Sequence, residues 1–150
     1  MSITEKYRAR TMSAAEAAAL VPDGAKMVVG LGVSYPPALM DALAVRVRSG
    51  DLTGGTLYCM LACAAASESI LAPDLHDRIR HVSLFHGGVE RGNDALRAGS
   101  AQGLVETLPV QFHQIPRILT EHLRVDTLFV TVSPMDADAA SAWAPTPITH

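Results

Sequence analysis

The sequence predicts an α/β domain, an open and mostly parallel sheet with helices on both faces. Three observations lead there. Short strand-like runs alternate with helical stretches and are joined by short turns. The first strand run, Met27–Val29, is apolar throughout rather than alternating, as in a strand covered on both sides. The strand ends also run into glycine-rich or polar turns, at Gly30–Ser34, His86–Arg91 and Ser133–Asp136. A parallel sheet carries such turns on one rim, where ligands of open α/β sheets bind.

Bulk properties narrow the class. The 150 residues suit one domain with a real core, and a composition rich in Ala and Gly but only 5% aromatic suits helices packed closely on a sheet. A formal net charge of -3 offers no basic field for nucleic acid. No apolar run approaches the roughly 20 residues that span a bilayer, and the start, Met1-Ser2-Ile3-Thr4-Glu5-Lys6, lacks a secretory layout. Cys59 and Cys63 lie in an apolar stretch and read as reduced core thiols of a cytoplasmic protein. Their spacing, with no clustered histidine, does not match a zinc site, and no metal is expected.

Residues 1–12 carry Glu5, Lys6, Arg8 and Arg10 and read as a polar arm. Ser13-Ala14-Ala15-Glu16 fits a capping box for a short helix that Pro22-Asp23-Gly24 ends. After the first strand, Gly30 and Gly32 permit a tight turn, Ser34 is placed to cap the next helix, and Pro36 or Pro37 suits its first turn. That helix buries Leu39, Met40, Leu43, Ala44 and Val47 at spacings of three and four. Ser49-Gly50-Asp51 stops it, and Gly54-Gly55 turns the chain into a strand over Thr56–Leu61. Pro73 breaks the stretch Leu71–Arg80 into a loop or short helix, and Ile79–Phe85 is the third strand. The turn His86–Gly92 precedes a helix over Asn93–Ala98, and a short strand surrounds Val105. Pro116 opens a helix using Ile118, Leu119 and Leu123, and Val125–Val132 is the last strand. The tail from Ala139 to His150 has no apolar pattern to dock it.

A strand feeding a glycine turn and a helix leaves N–H groups where an anion or a developing oxyanion would sit, although the same glycines also serve merely to make the corner. A dinucleotide fingerprint does not fit, because Tyr35 stands where the third glycine belongs. Arg91 offers a planar fork for a phosphate or carboxylate; its alternative is an ion pair with Glu90. His86 is a candidate hydrogen-bond donor to a substrate or else a plain loop histidine, and Ser133 and Asp136 sit where a pocket rim would be, with Asp136 alternatively capping the following turn. His113 reads as structural, and His76, His81 and His122 have no constellation around them. The candidate pocket residues are therefore Gly30, Gly32, Ser34, His86, Arg91 and Ser133, with no catalytic residue assigned.

The ordered set of pieces resembles the N-terminal half of the acetyl-CoA hydrolase/transferase family, which includes acetate and 4-hydroxybutyrate CoA-transferases. The residues carrying it are Ser13, Ala14, Glu16 and Ala17, Asp23-Gly24, the Gly30–Ser34 turn, Pro37, Leu39, Ala42-Leu43, Phe85-His86-Gly87 to Arg91, Gly99, Pro109, Ile115-Pro116, and Val125-Asp126 leading to Val132-Ser133-Pro134-Met135-Asp136. The resemblance implies residues 1–138 as one half-domain of the architecture shared by CoA-transferases and the NagB and RpiA sugar-phosphate isomerases. It implies acyl-CoA:carboxylate CoA-transfer, or acyl-CoA hydrolysis, in the metabolism of acetate and other short-chain acids. Coenzyme A thioester enters as substrate, with no further cofactor, and the protein is expected to be a homo-oligomer.

In the family a glutamate of the second half attacks the thioester. None of Glu5, Glu16, Glu68, Glu90, Glu106 or Glu121 matches its motif. The chain is therefore expected to be inactive alone and to meet a C-terminal domain in cis or in trans; the alternative is a non-catalytic docking half or a truncated fragment. An isomerase reading would need a base near the turns, and no motif supplies one. The family continues past the Ser-Pro-x-Asp motif with a Gly and a Ser-Leu-Gly segment, whereas here Ala137–Ala144 departs from it. A shift of reading frame near Asp138 would account for residues 139–150, and the nucleotide sequence of the gene decides it.

Overall fold

A computed structural model of the chain describes residues 3–96 and 105–135, with only the backbone for 93–96. Expectations for Ala101–Leu104, Asp136 and the 139–150 tail lie outside the described residues. The elements are helix α1 (Ile3–Arg10), α2 (Ala14–Ala19), strand β1 (Lys26–Val29), α3 (Pro37–Ser49), β2 (Thr56–Met60), α4 (Ala64–Glu68), β3 (Arg80–Phe85), α5 (Gly88–Leu96), β4 (Glu106–Thr107), α6 (Ile115–Arg117), continued by a π-helical turn over Ile118–His122, and β5 (Thr127–Phe129).

The sheet has the order β4-β3-β2-β1-β5, and each neighbouring pair runs parallel. The chain therefore steps outward from β1 in one direction and then returns to add β5 on the other side. Parallel crossovers keep one hand, so a reversal of direction moves the connecting segments to the opposite face. The packing shows this. Met27, Val29, Leu57, Cys59 and Phe129 face one side, where Met40, Leu43, Ala44 and Val47 of α3 meet Ile70, Leu71 and Leu75. Tyr58, Val82 and Leu84 face the other, under Leu108, Val110, Ile115, Leu119 and Leu123 of the return segment. Successive residues of each strand thus serve opposite cores, which is why the apolar runs are unbroken.

Several local expectations hold. Ser13 and Glu16 form the reciprocal capping box: Ser13 Oγ accepts from the Glu16 amide at 3.2 Å, and the Glu16 carboxylate accepts from the Ser13 amide at 2.8 Å. The polar arm is α1, with no buried residue. Arg46 of α3 ties down the end of α2 and the chain just beyond it by donating to the carbonyls of Ala18 and Val21.

Other expectations are corrected. Ser34 does not cap α3. It ends a 3₁₀ turn over Gly32–Ser34, and Pro36 occupies the cap with Pro37 in the first turn. The helix expected at Asn93 begins at Gly88, because Glu90 caps the turn before it. The last strand is shorter than Val125–Val132, since β1 offers its final rung to Phe129. His76 and His81 are not isolated: their rings meet edge to face with 4.5 Å between centroids and 3.1 Å between Nδ1 atoms.

That pair generates a pH prediction. Burial and the neighbouring His76 push His81 down to about 3. The unfolded chain takes up a proton near pH 6.5 that the folded chain refuses, so the stabilising contribution is full above pH 6.5 and is lost as pH falls toward 3. Denaturant unfolding between pH 7.5 and 4.5 should show stability dropping by up to about 1.4 kcal/mol per pH unit below 6.5. His81→Leu should flatten that slope.

Candidate functional site at the carboxyl rim

Because every pairing is parallel, the turns after β1, β3 and β5 lie on one rim of the sheet. The order reverses between β1 and β5, which makes their carboxyl ends the topological switch point of the sheet. Gly30, Gly32 and Ser34 leave β1 there, and Ser133 lies beyond β5 on its other side. His86 and Arg91 follow β3, separated from β1 by β2, about 10 Å across the sheet.

The Gly30 turn is closed by its own hydrogen bonds. The Gly30 amide donates to Phe129 O at 2.8 Å and the Gly32 amide to Leu61 O at 3.3 Å. The amides of Ser34 and Tyr35 donate to Leu31 O at 3.0 Å and Gly32 O at 3.2 Å. Thr131 completes the closure, its amide donating to Ser34 O at 2.9 Å and its hydroxyl to Tyr35 O at 3.0 Å. These amides are therefore spent on the fold, contrary to the expectation of open donors for an oxyanion. The glycines have distinct reasons. A Cβ at Gly30 would stand 2.6 Å from Ser34 O, whereas Gly32 has open space around it but a φ of +53°.

Beneath the turn lies an enclosed cavity of about 10 Å³, lined among others by Gly30, Tyr35, Cys59 and Cys63. Burial pushes the Tyr35 phenol up to about 12, opposed by Ser69, although the two hydroxyls do not meet in hydrogen-bond geometry. Neither cysteine is in a disulfide, and Cys59 is buried.

The turn after β3 is organised by a residue the sequence reading left aside. Glu90 is fully buried and accepts from the Gly87 amide at 3.0 Å. Ser83 Oγ at 3.5 Å and Cys59 Sγ at 4.0 Å approach its other oxygen. Burial first, and then the Glu90 charge, push the Cys59 thiol up to about 12. Glu90 is the third residue of α5, and a carboxylate there reaching back to the preceding amide is half of a capping box. The spacing Gly87-Val89-Glu90 before a helix was the available signal. Arg91 is not paired with Glu90; its guanidinium donates to His86 O at 2.8 Å. The His86 Nδ1 lies 3.0 Å from Thr107 Oγ1. Ser133 is half-buried, its hydroxyl donating to Pro134 O at 3.3 Å.

The rim therefore separates into a closed corner at β1/β5 and a polar turn after β3, with apolar Leu31, Val33, Leu61, Phe85, Phe112 and Val132 exposed around them. Among the described residues no three His, Cys, Asp or Glu side chains converge as a metal-binding group, and no helix is long and apolar enough to cross a membrane.

Comparison with known proteins agrees with this architecture. Residues 1–147 match the model of the acetyl-CoA hydrolase/transferase N-terminal domain. The chain is 30% identical over 140 residues to a succinyl-CoA:cyclohexane-1-carboxylate CoA transferase of Geobacter metallireducens, spanning 90% of this chain and 28% of that protein. The crystal structure of RipA from Yersinia pestis superposes with a TM-score of 0.85 at 34% identity, covering 92% of this chain and 32% of that one. A 4-hydroxybutyrate CoA-transferase from Porphyromonas gingivalis shares the fold at a TM-score of 0.60 and 23% identity, over 91% of this chain and 28% of that one. The chain thus spans about a third of the length of these relatives.

The Gly30 corner is directly testable. Gly30→Ala should cost about 1–3 kcal/mol in chemical denaturation, through overpacking against Ser34. Gly32→Ala should cost about 1–2 kcal/mol, from backbone strain alone.

Proposed function

The chain belongs to the acetyl-CoA hydrolase/transferase family, as its N-terminal domain, and from that premise we propose that it forms one wall of a site for acyl-CoA:carboxylate CoA-transfer or acyl-CoA hydrolysis. The reactive glutamate comes from a second domain, in cis or in trans. The chemistry is covalent catalysis: the carboxylate attacks the thioester carbonyl and expels CoA thiolate to leave an acyl-glutamyl anhydride, and the thiolate then attacks the glutamyl carbonyl and expels the acyl carboxylate, leaving an enzyme-CoA thioester that conserves the activation that hydrolysis would dissipate. Acetate and other short-chain acids are the first substrates to test, although the Geobacter relative is named for a ring acid. A cytoplasmic setting accords with the unpaired thiols of Cys59 and Cys63.

The observation that carries this reading is coverage. Residues 1–147 of the chain match the family domain, yet the chain spans only 28% and 32% of two relatives. Four of the six glutamates also have other work. Glu90 is buried under Gly87, Glu16 caps α2, Glu106 forms a 2.6 Å ion pair with Arg80 where β3 and β4 begin, and Glu121 pairs with Arg117 at 2.8 Å. The candidate pocket residues Gly30, Gly32, Ser34, His86, Arg91 and Ser133 then serve to shape the wall.

A second reading, a docking half without catalysis of its own, is favoured by the exposed apolar side chains of the same rim, Val33 at 72% and Phe112 at 70% exposure among them.

Two measurements test these readings. Thioester exchange between acetyl-CoA and succinate should show no turnover with the purified chain alone; robust turnover would contradict the missing-glutamate reading. Light scattering during size-exclusion chromatography should show concentration-dependent self-association if the apolar rim is a docking face, and a clean monomer if it is not.

A further inference from the structure

We propose that an apolar groove at the carboxyl ends of β2 and β3 receives the body of the substrate's acyl group, which makes this a site for acyl groups bulkier than acetyl. The assignment rests on the CoA-thioester reading above and names the substrate class for it.

The groove has a volume of about 320 Å³ and runs between Met60 and Leu61, Leu84 and Phe85, and Phe112 and Ile115. That is far more than the two carbons of an acetyl group fill. Its lining side chains are all apolar, so nothing in it would hold a carboxylate or a phosphate, whereas a hydrocarbon chain or ring loses water-exposed surface on entering.

Three features show that the groove is built rather than left over. The β2–β3 register shifts at Cys59/Met60, so that Met60 pairs with Phe85. Such an irregularity re-aims side chains at the end of a strand, and bulges gather beside functional sites. Leu61, directly after β2, holds a φ of +52°, a left-handed conformation that costs a non-glycine residue about 1–2 kcal/mol. Its carbonyl accepts from the Gly32 amide at 3.3 Å, which couples this strained residue to the corner after β1. Strain of this kind persists only where the surroundings impose it, and it clusters at ligand sites. Finally, two of the three phenylalanines of the chain line this groove in the open, Phe85 at 55% and Phe112 at 70% exposure.

The floor is firm, because Met60, Val110 and Ile115 pack on the buried Tyr58, Val82 and Leu84. Polar groups begin where the apolar lining stops, with His86 following Phe85. An acyl thioester lying along the rim would thus put its hydrocarbon end in the groove and its carbonyl toward the polar turn.

The test is equilibrium binding of free CoA, acetyl-CoA, hexanoyl-CoA and benzoyl-CoA to the purified chain by calorimetry. Hexanoyl- and benzoyl-CoA should bind roughly 10- to 100-fold more tightly than acetyl-CoA, as expected for burying several carbons. Phe112→Ala, at an exposed position, and Leu61→Gly, which relieves the backbone strain, should both keep the melting transition. Each should weaken hexanoyl-CoA roughly fivefold or more while leaving acetyl-CoA unchanged. If all CoA compounds bind alike whatever the acyl group, the groove assignment is overturned, the transferase reading stands, and the groove is left to a side chain of a partner domain. If no CoA compound binds, the thioester reading itself falls and this assignment with it.

Discussion

The pairing of β1 with β5 is the interaction on which the rest of the molecule depends. It joins segments about a hundred positions apart, through the ladder Met27–Val29 against Thr127–Phe129 and the bond from the Lys26 amide to Asp126. The closure of such a long loop has an entropic cost that grows slowly with length but must be met before any contact rewards it. What offsets it is burial: Phe129 enters the same core as Met27, Val29 and the α3 stripe. The consequence is topological. Placing β5 beside β1 rather than beyond β4 reverses the strand order, sends the return segment to the second face and opens the switch point at the rim.

At that switch point the protein is tighter than a ligand cradle. The amides of Gly30, Gly32, Ser34 and Tyr35 donate to the carbonyls of Phe129, Leu61, Leu31 and Gly32, and Thr131 donates to the carbonyls of Ser34 and Tyr35. The open part of the rim lies one and two strands away, where β2 and β3 end in an irregular register, a left-handed leucine and the His86 turn. Glu90 links the two regions from below. Its carboxylate holds the Gly87 amide on one oxygen and faces Ser83 and Cys59 on the other, so the turn after β3 is anchored to the core beside the cavity under the β1 corner. An uncompensated carboxylate in such a place is expensive unless hydrogen bonds satisfy it. Gly87 meets the need, because only a residue without a Cβ lets Glu90 Oε2 approach as it does, 2.8 Å from where that atom would stand.

Family membership joins these features to a chemistry without assigning each residue a part in it. The relatives are about three times as long. The described rim has an apolar part, from Met60 to Ile115, followed by a polar turn at His86 and Arg91.

By itself the sequence determined the elements and their class. The unbroken apolar run of Met27–Val29, the capping box of Ser13 and Glu16 and the stripe of Met40, Leu43, Ala44 and Val47 are local patterns, and local patterns report local structure and burial. The ordered motifs also disclosed the family. Tertiary structure alone decided where the strand ends lie relative to one another, because that depends on β5 choosing β1 as its neighbour. It also decided that the Gly30 turn gives its Gly30 and Gly32 amides to the carbonyls of Phe129 and Leu61 and its Ser34 and Tyr35 carbonyls to Thr131, that Ser34 ends a turn instead of capping a helix, and that Glu90 is buried rather than paired with Arg91. His76 and His81, close in sequence but unrelated by any motif, meet ring to ring where the chain enters β3. Such contacts join groups through space, and periodicity along a chain carries no record of them.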